Sequence, residues 1–276
     1  MYELRQKALW ASIVVGFLGG SLKAAAVVVV LGGAGTAFSD AADGVKTVFP
    51  DAQVVTVPEQ PSLKGAKVVL TFGAAAAAQS VPGSLPLVVA MLADPNFEVE
   101  HSGSVTRVGF PPEAAVLAAK IKALDPKVTT LAVIDPKGAY APYFSALKTA
   151  AAAHGMSVQV KKVGSVSSLV GMLPGLKGTV QALYVPPDSL LMTSSVFTVL
   201  THFCHDSAIG LFAPVLGLEK AGALAAVAPS YKDLGKAAAL AGQTYLQGGN
   251  PGEWVYSAQT EAARNEQVAA DLALGD

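Results

Sequence analysis

Few side chains in this chain are suited to chemistry, and the densest group is the stretch HFCH, His202 to His205. On a helix His202 and His205 share a face at i,i+3 while Cys204 points elsewhere. With no third ligand evident, a zinc site is not expected. A cysteine nucleophile needs a base that a third group orients, and none can be identified. A buried thiol with surface histidines near a helix end is the expectation. No paired catalytic carboxylates stand out. Neither a metal nor a cofactor is expected.

The run VVVVLGGAGTAF has the look of a strand entering the glycine turn of a dinucleotide site. Gly33 and Gly35 fit that pattern, but Phe38 stands where a third glycine belongs, a position that needs a small residue for helix-to-strand packing. Glu59 lies at a distance suited to a ribose, yet Pro58 and Pro61 surround it. The stretch reads better as a first strand and a ligand loop. An α/β enzyme with a nucleotide cofactor is kept as the alternative.

Other positions suit the holding of a small molecule. Gly73, Ala74 and Ala75 follow the apolar run VVLTF and open a helix, where free backbone N–H groups and the helix dipole favour an anion. The same residues also suit a tight turn with close packing. Asp188 follows ALYVPP, with Ser189 beside it, and its carboxylate can hold a ligand ammonium by a charge-assisted hydrogen bond. It equally suits a helix N-cap. Asp94 before Pro95 carries the same two readings, ligand group or turn. Tyr140, Tyr184 and Tyr231 sit near element ends, where a ring can stack on a ligand or close the edge of a core. Phe212 and Phe38 extend that aromatic set. His101 and Arg107, in HSGSVTRVGF, are further candidates to reach a cleft or to be solvated.

These positions are set among ample core-forming material. Of 276 residues, 52% are hydrophobic and 14% charged, with a formal net charge of −1. No basic run is present to neutralise phosphates, which argues against a nucleic-acid partner. The single cysteine excludes an internal disulfide and a four-cysteine zinc site. At the N-terminus Arg5 and Lys7 precede the uncharged stretch 8–22, followed by Lys23 and Ala24–Ala26. This is the layout of a secretory signal, too short for the roughly 20 residues of a spanning helix. Cleavage near Ala24 to Ala26 is expected. No cysteine follows to accept a lipid, so no lipid anchor is expected.

Beyond that segment, β-branched runs alternate with alanine-rich stretches. Strands are expected at 27–31, 53–57, 67–72, 86–92, 105–110, 130–134, 157–163, 182–185, 209–213 and 224–228. Helices are expected at 38–48, 74–80, 112–124, 140–154, 165–176, 191–206 and 231–247. Several strands are apolar throughout, as parallel strands covered on both faces are. Alternation of this kind implies parallel α/β layers. So many strands exceed one comfortable open sheet, and two lobes are expected, with the break near SGSVTRVGFPPEA.

Five segments in order carry a family resemblance. They are KVVLTFGAAAAAQ, LPLVVAMLADP, LDPKVTTLAVIDPKGAYAPYFSALKTAAAAHGMSVQV, DSLLMTSSVFTVL and GALAAVAPSYKDLGKAAALAGQTYLQGG. Through them residues 66–250 resemble ABC-transporter substrate-binding proteins of the type I periplasmic-binding fold, in the branch that includes tryptophan- and tyrosine-binding members. The resemblance implies two Rossmann-like lobes with parallel sheets and a ligand cleft between them, the chain crossing several times. Lobe one would be 27–107 plus 231–248, and lobe two 108–230 plus 249–276, after a signal peptide 1–26. It further implies a soluble, exported, periplasmic protein that captures a small-molecule ligand, an amino acid or a related compound, by lobe closure. The ligand would pass to an ABC-type membrane permease. A ligand sensor or partner regulator of the same fold is the alternative. In this reading the backbone near Gly73, Asp188, and walls from Tyr140 and Tyr231 give specificity. Where the family often carries Ser or Thr after Gly73, this chain has alanines, and HSGSVTRVGF replaces its PGGN.

Overall fold

The computed structural model describes residues 26–273, so the expected export segment lies outside them apart from Ala26. In chain order the elements are β1 (Val27–Leu31), α1 (Thr36–Lys46), β2 (Gln53–Thr56), β3 (Val68–Phe72), α2 (Ala74–Ala77), β4 (Leu87–Ala90) and β5 (Val105–Pro112). Then come α3 (Ala114–Leu124), β6 (Thr130–Pro136), α4 (Ala141–Ala152), β7 (Ser157–Val163), α5 (Val166–Met172) with a 3-10 turn Leu173–Leu176, β8 (Ala182–Tyr184), α6 (Ser194–Asp206), β9 (Gly210–Ala213) and β10 (Ala225–Ala228). The chain closes with α7 (Tyr231–Leu246), β11 (Trp254–Ser257), β12 (Glu261–Arg264) and α8 (Glu266–Asp271).

The strands form two six-stranded sheets, ordered β11-β5-β4-β3-β1-β2 and β12-β10-β9-β8-β6-β7. Every pairing in the first is parallel. In the second only the β10–β12 pair is antiparallel. Continuous apolar strands follow from burial on both faces. Within VVVVL, Val27, Val29 and Leu31 face the core under α1 and α7, while Val28 and Val30 face the core with Ala76 and Ala77 of α2. In the second sheet α3, α4 and α8 cover one face, and α5 and α6 the other.

Helix α7 begins at a reciprocal cap that fixes where it leaves the second sheet. Ser230 Oγ accepts from the Asp233 N–H at 3.1 Å, and Asp233 Oδ2 accepts from the Ser230 N–H at 3.3 Å. It returns to the first sheet and crosses α1 closely enough that both helices need glycine. A Cβ on Gly44 would stand 2.0 Å from the Lys232 carbonyl oxygen, and one on Gly235 would stand 1.9 Å from that of Ala41.

Three expectations change. The break between 107 and 108 falls inside β5, which pairs with β4 from Val105 to Val108 and extends to Pro112. Residues 249–276 do not all join the second sheet, since β11 pairs with β5 in the first. Helix α6 starts at Ser194 rather than 191, capped by Thr193, whose hydroxyl accepts from the Val196 N–H. Strands β11 and β12 and helix α8 were not expected; they are short, and their sequences carry few β-branched residues.

Candidate functional site

The carboxyl ends of the first-sheet strands and the start of α4 enclose a cavity of about 150 Å3. From the first sheet come Val89 of β4, Leu92 and Pro95 just after it, residues Arg107 to Pro111 of β5, and Trp254 and Tyr256 of β11. From the second come Ala139, Tyr140, Pro142, Tyr143 and Ala146. One turn of α4 repeats every three to four residues, so Pro142, Tyr143 and Ala146 share one side of the helix, with Ala139 and Tyr140 just ahead of it.

The floor is built by a bare backbone. A Cβ on Gly109 would fall 2.3 Å from Cε1 of Tyr256, so the glycine lets that ring lie against β5. Tyr256 stacks on Trp254 at 6.2 Å with 12° between planes, and meets Tyr143 at 5.0 Å. Strand β11 of the first sheet and α4 of the second thereby share an aromatic contact. Arg107 completes the wall, its guanidinium 5.7 Å from the Trp254 ring centroid. Its Nη2 donates to the Phe97 carbonyl at 3.0 Å, while Nη1 is buried with no hydrogen-bond partner. Burial lowers the Arg107 pKa, and the Glu253 carboxylate opposes that shift.

The other side of the cavity is fixed by Tyr140. Its N–H donates to Oδ1 of the fully buried Asp135 at 3.0 Å, and its hydroxyl donates to the Pro187 carbonyl. That second bond ties α4 to the segment carrying Asp188. Burial pushes the Tyr140 hydroxyl far above its ordinary pKa, helped by Tyr184, Asp188 and Asp94. Asp188 is half-buried and its pKa is raised, first by burial and also by the Asp94 charge, while the Leu190 and Leu191 N–H groups and Lys137 oppose the rise. Two carboxylates, one following β4 and one following β8, therefore act on the same tyrosine, and the Asp94 charge also acts on Asp188.

The expected residues divide accordingly. Tyr140 lines the cavity, and Asp94 and Asp188 lie within electrostatic reach of it. Asp94 also makes the turn foreseen for it, Oδ1 accepting from Asn96 N–H at 2.9 Å. Asp188 is not a helix N-cap: Oδ1 accepts from the Leu190 N–H at 2.8 Å, in a turn ahead of α6. Ser189 beside it is exposed. Tyr184 and Phe212 are core residues under α4, though the Tyr184 hydroxyl is buried without a partner. Tyr231 packs at the edge of the first-sheet core and is outside the cavity lining. Gly73 is buried under the Phe38 ring, and exposed Ala74 and Ala75 open a helix of four residues away from the lining. His101 lies beside Gly103, in the loop ahead of β5, and is outside the cavity lining.

Arg107 was weighed from the sequence, but Tyr143, Trp254 and Tyr256 were not. The signal that could have found the last two is the alternation in EWVYS, which puts Trp254 and Tyr256 on one face of a strand. A wider groove of about 590 Å3 runs between α7 and β11, and none of the expected residues reaches it. Cys204 is buried and its thiol is pushed up to about 12, as an inert core thiol would be. No group of three metal-ligating side chains occurs among the described residues. Among them, too, no helix is long and apolar enough to cross a membrane.

Comparison with known proteins gives a consistent fold. The family described as ABC transporter substrate binding protein matches residues 52–265. A Streptococcus pneumonia ABC domain in complex with L-Trp is 19% identical, covers 90% of this chain and 94% of its own, and superposes with a TM-score of 0.56. A ligand-free, open substrate-binding protein with adhesive properties from Clostridium difficile is 18% identical, with coverage of 91% and 95% and a TM-score of 0.59. A periplasmic ribose ABC transporter protein from Conexibacter woesei is 15% identical, with coverage of 92% and 97% and a TM-score of 0.53. Among curated proteins none matches.

Proposed function

The chain belongs to the ABC transporter substrate-binding protein family, and from that premise we propose that it is exported, captures a small organic molecule between its two sheets and hands it to an ABC-type membrane permease. The observation that carries this reading is the ownership of the cavity walls. Arg107, Trp254 and Tyr256 belong to the first sheet, and Tyr140 and Tyr143 to the α4 end of the second. A molecule filling that space touches both halves at once. It therefore binds best when the halves are close, and its differential affinity for the closed arrangement drives closure. The work needs no chemistry on the ligand.

The ligand class favoured here is an amino acid or a related amine-bearing compound. Support comes from Asp94 and Asp188, which follow strands of opposite sheets, the Asp94 charge disfavouring ionisation of Asp188. An ammonium between them relieves that repulsion through charge-assisted hydrogen bonds. The aromatic walls suit an apolar or ring-bearing body. The pneumococcal relative's L-Trp is in keeping with such a ligand.

The test is thermal unfolding of the protein against amino acids, nucleosides, organic acids, sugars and NAD. A ligand bound only by the folded state adds about 2.7 kcal/mol at a hundredfold excess over its dissociation constant. A midpoint rise with an amino acid or amine supports the reading. A rise with NAD alone overturns it in favour of the glycine turn after β1.

A further inference from the structure

The inner wall of the cavity holds a cation whose charge the protein leaves incompletely matched. Arg107 lines the cavity, lies on the Trp254 ring and uses Nη2 on the Phe97 carbonyl. Nη1 is buried with no hydrogen-bond partner. A buried guanidinium N–H without an acceptor is costly, and structures seldom leave one so. The Phe97 bond and the ring stack account for one edge and one face of the group, not for the second nitrogen. The nearby carboxylate is Glu253, which is exposed and makes no salt bridge with Arg107 at 4.0 Å or less among the described residues. The remaining walls, with Val89, Phe110, Tyr143 and Tyr256, are apolar or aromatic.

We propose that Arg107 is the anion-holding residue of the cavity, and that the solute is a carboxylate whose apolar or ring-bearing body lies against Trp254, Tyr256 and Tyr143. The proposal rests on the capture reading above and adds to it the charge of the ligand and the residue that selects it. It moves the carboxylate from the Gly73 turn, where Phe38 covers the glycine, to the side chain of β5. Planar guanidinium and planar carboxylate match as two parallel N–H···O bonds, and a low-polarity chamber strengthens them. The Trp254 face below Arg107 holds the fork in orientation. An ammonium on the same solute faces Asp94 and Asp188.

The direct test is isothermal titration with matched pairs that differ only at the acid. L-phenylalanine is compared with L-phenylalaninamide, and 3-phenylpropionate with 3-phenylpropanamide. The expected result is that each carboxylate binds at least about tenfold more tightly than its amide. In Arg107→Gln that preference collapses to within about threefold while amide binding stays, and Arg107→Lys retains part of it. Thermal melts check that both variants fold. Because Arg107 also holds Phe97, Ala146→Phe serves as a second variant: Ala146 is exposed on α4 and lines the cavity, and its larger side chain obstructs the space, so all binding weakens without loss of fold. Binding of amides or amines equal to or tighter than the carboxylates overturns the Arg107 assignment and leaves capture standing. So does a failure of both carboxylates while another solute raises the melting point. No binding by any solute in the wider panel overturns both.

Discussion

Tyr256 lies on Gly109 with no room for a side chain between them: a Cβ there would be 2.3 Å from the ring. The contact joins two crossover strands of the first sheet and sets the floor of the cavity. Gly109→Ala forces the ring off β5, at a cost of about 1–3 kcal/mol for overpacking. It should also weaken solute binding by about tenfold or more, since Trp254 and Tyr143 both lean on Tyr256. Chemical denaturation and titration read the two effects. Combining Gly109→Ala with Tyr256→Leu should recover part of the stability and none of the affinity.

Asp188→Asn separates stability from binding. Burial and the Asp94 charge raise the Asp188 pKa in the folded protein. Its contribution to stability is therefore fully present below the unfolded value near 3.8 and is lost as pH rises through the higher folded value. The neutral amide avoids that loss, so the variant should melt at a somewhat higher temperature than the parent at pH 7. The advantage should vanish near pH 3.5. Affinity for an amine-bearing solute should fall at pH 7 in the same variant. Melting curves at the two pH values and a titration check it.

Tyr140→Phe removes the bond from the tyrosine hydroxyl to the Pro187 carbonyl. About 1 kcal/mol of stability should be lost. The larger effect should be on binding, because that bond ties the Asp188 segment to the start of α4. Hydrogen exchange of residues after β8 should speed up more than exchange within α4 itself.

Gly235→Ala tests the packing of α7 on α1. A methyl there meets the Ala41 carbonyl at 1.9 Å, and backbone cannot move aside as a flexible side chain does. The helices must separate, costing about 2 kcal/mol or more. Gly138→Ala is no fair comparison because its φ is +79°, so Gly171, with open space around it, is the reference position.

The alternation of apolar runs with alanine-rich stretches exposed most of the fold. VVVVL, VVLTF and TLAVI are apolar on both faces because helices cover both, and that pattern needs no partner to be seen. The number of strands implied two lobes, and the family segments added that the chain crosses between them several times. What was not legible depended on long-range closure. Strands β11 and β12 are four residues each and take their form from β5 and β10, which lie far away in the chain. The boundary at 107/108 cuts β5 because VTRVGFPP reads as a strand followed by a helix, while its strand continues through both prolines.

The site was legible only in part. Asp94, Tyr140 and Asp188 could be picked out because ends of strands and starts of helices meet at a cleft. Tyr184 and Phe212 sit at similar sequence positions, yet their side chains fall under α4. Which face an end residue presents is decided by the helix packed over it, and one chain's pattern does not encode that. Trp254 was missed for the same reason: its meaning comes from standing beside Arg107.

The central claim is that a solute occupies the space between Arg107, Trp254 and α4. The chain has two tryptophans, Trp10 and Trp254, so Trp10→Phe leaves Trp254 as the single indole, in the cavity wall. Its fluorescence should be followed as the solute that raises the melting temperature is titrated in. The account predicts a saturable change in Trp254 emission with the same midpoint as the calorimetric titration. A solute that stabilises the protein and leaves Trp254 emission unchanged at saturation would place the binding site elsewhere and contradict the account.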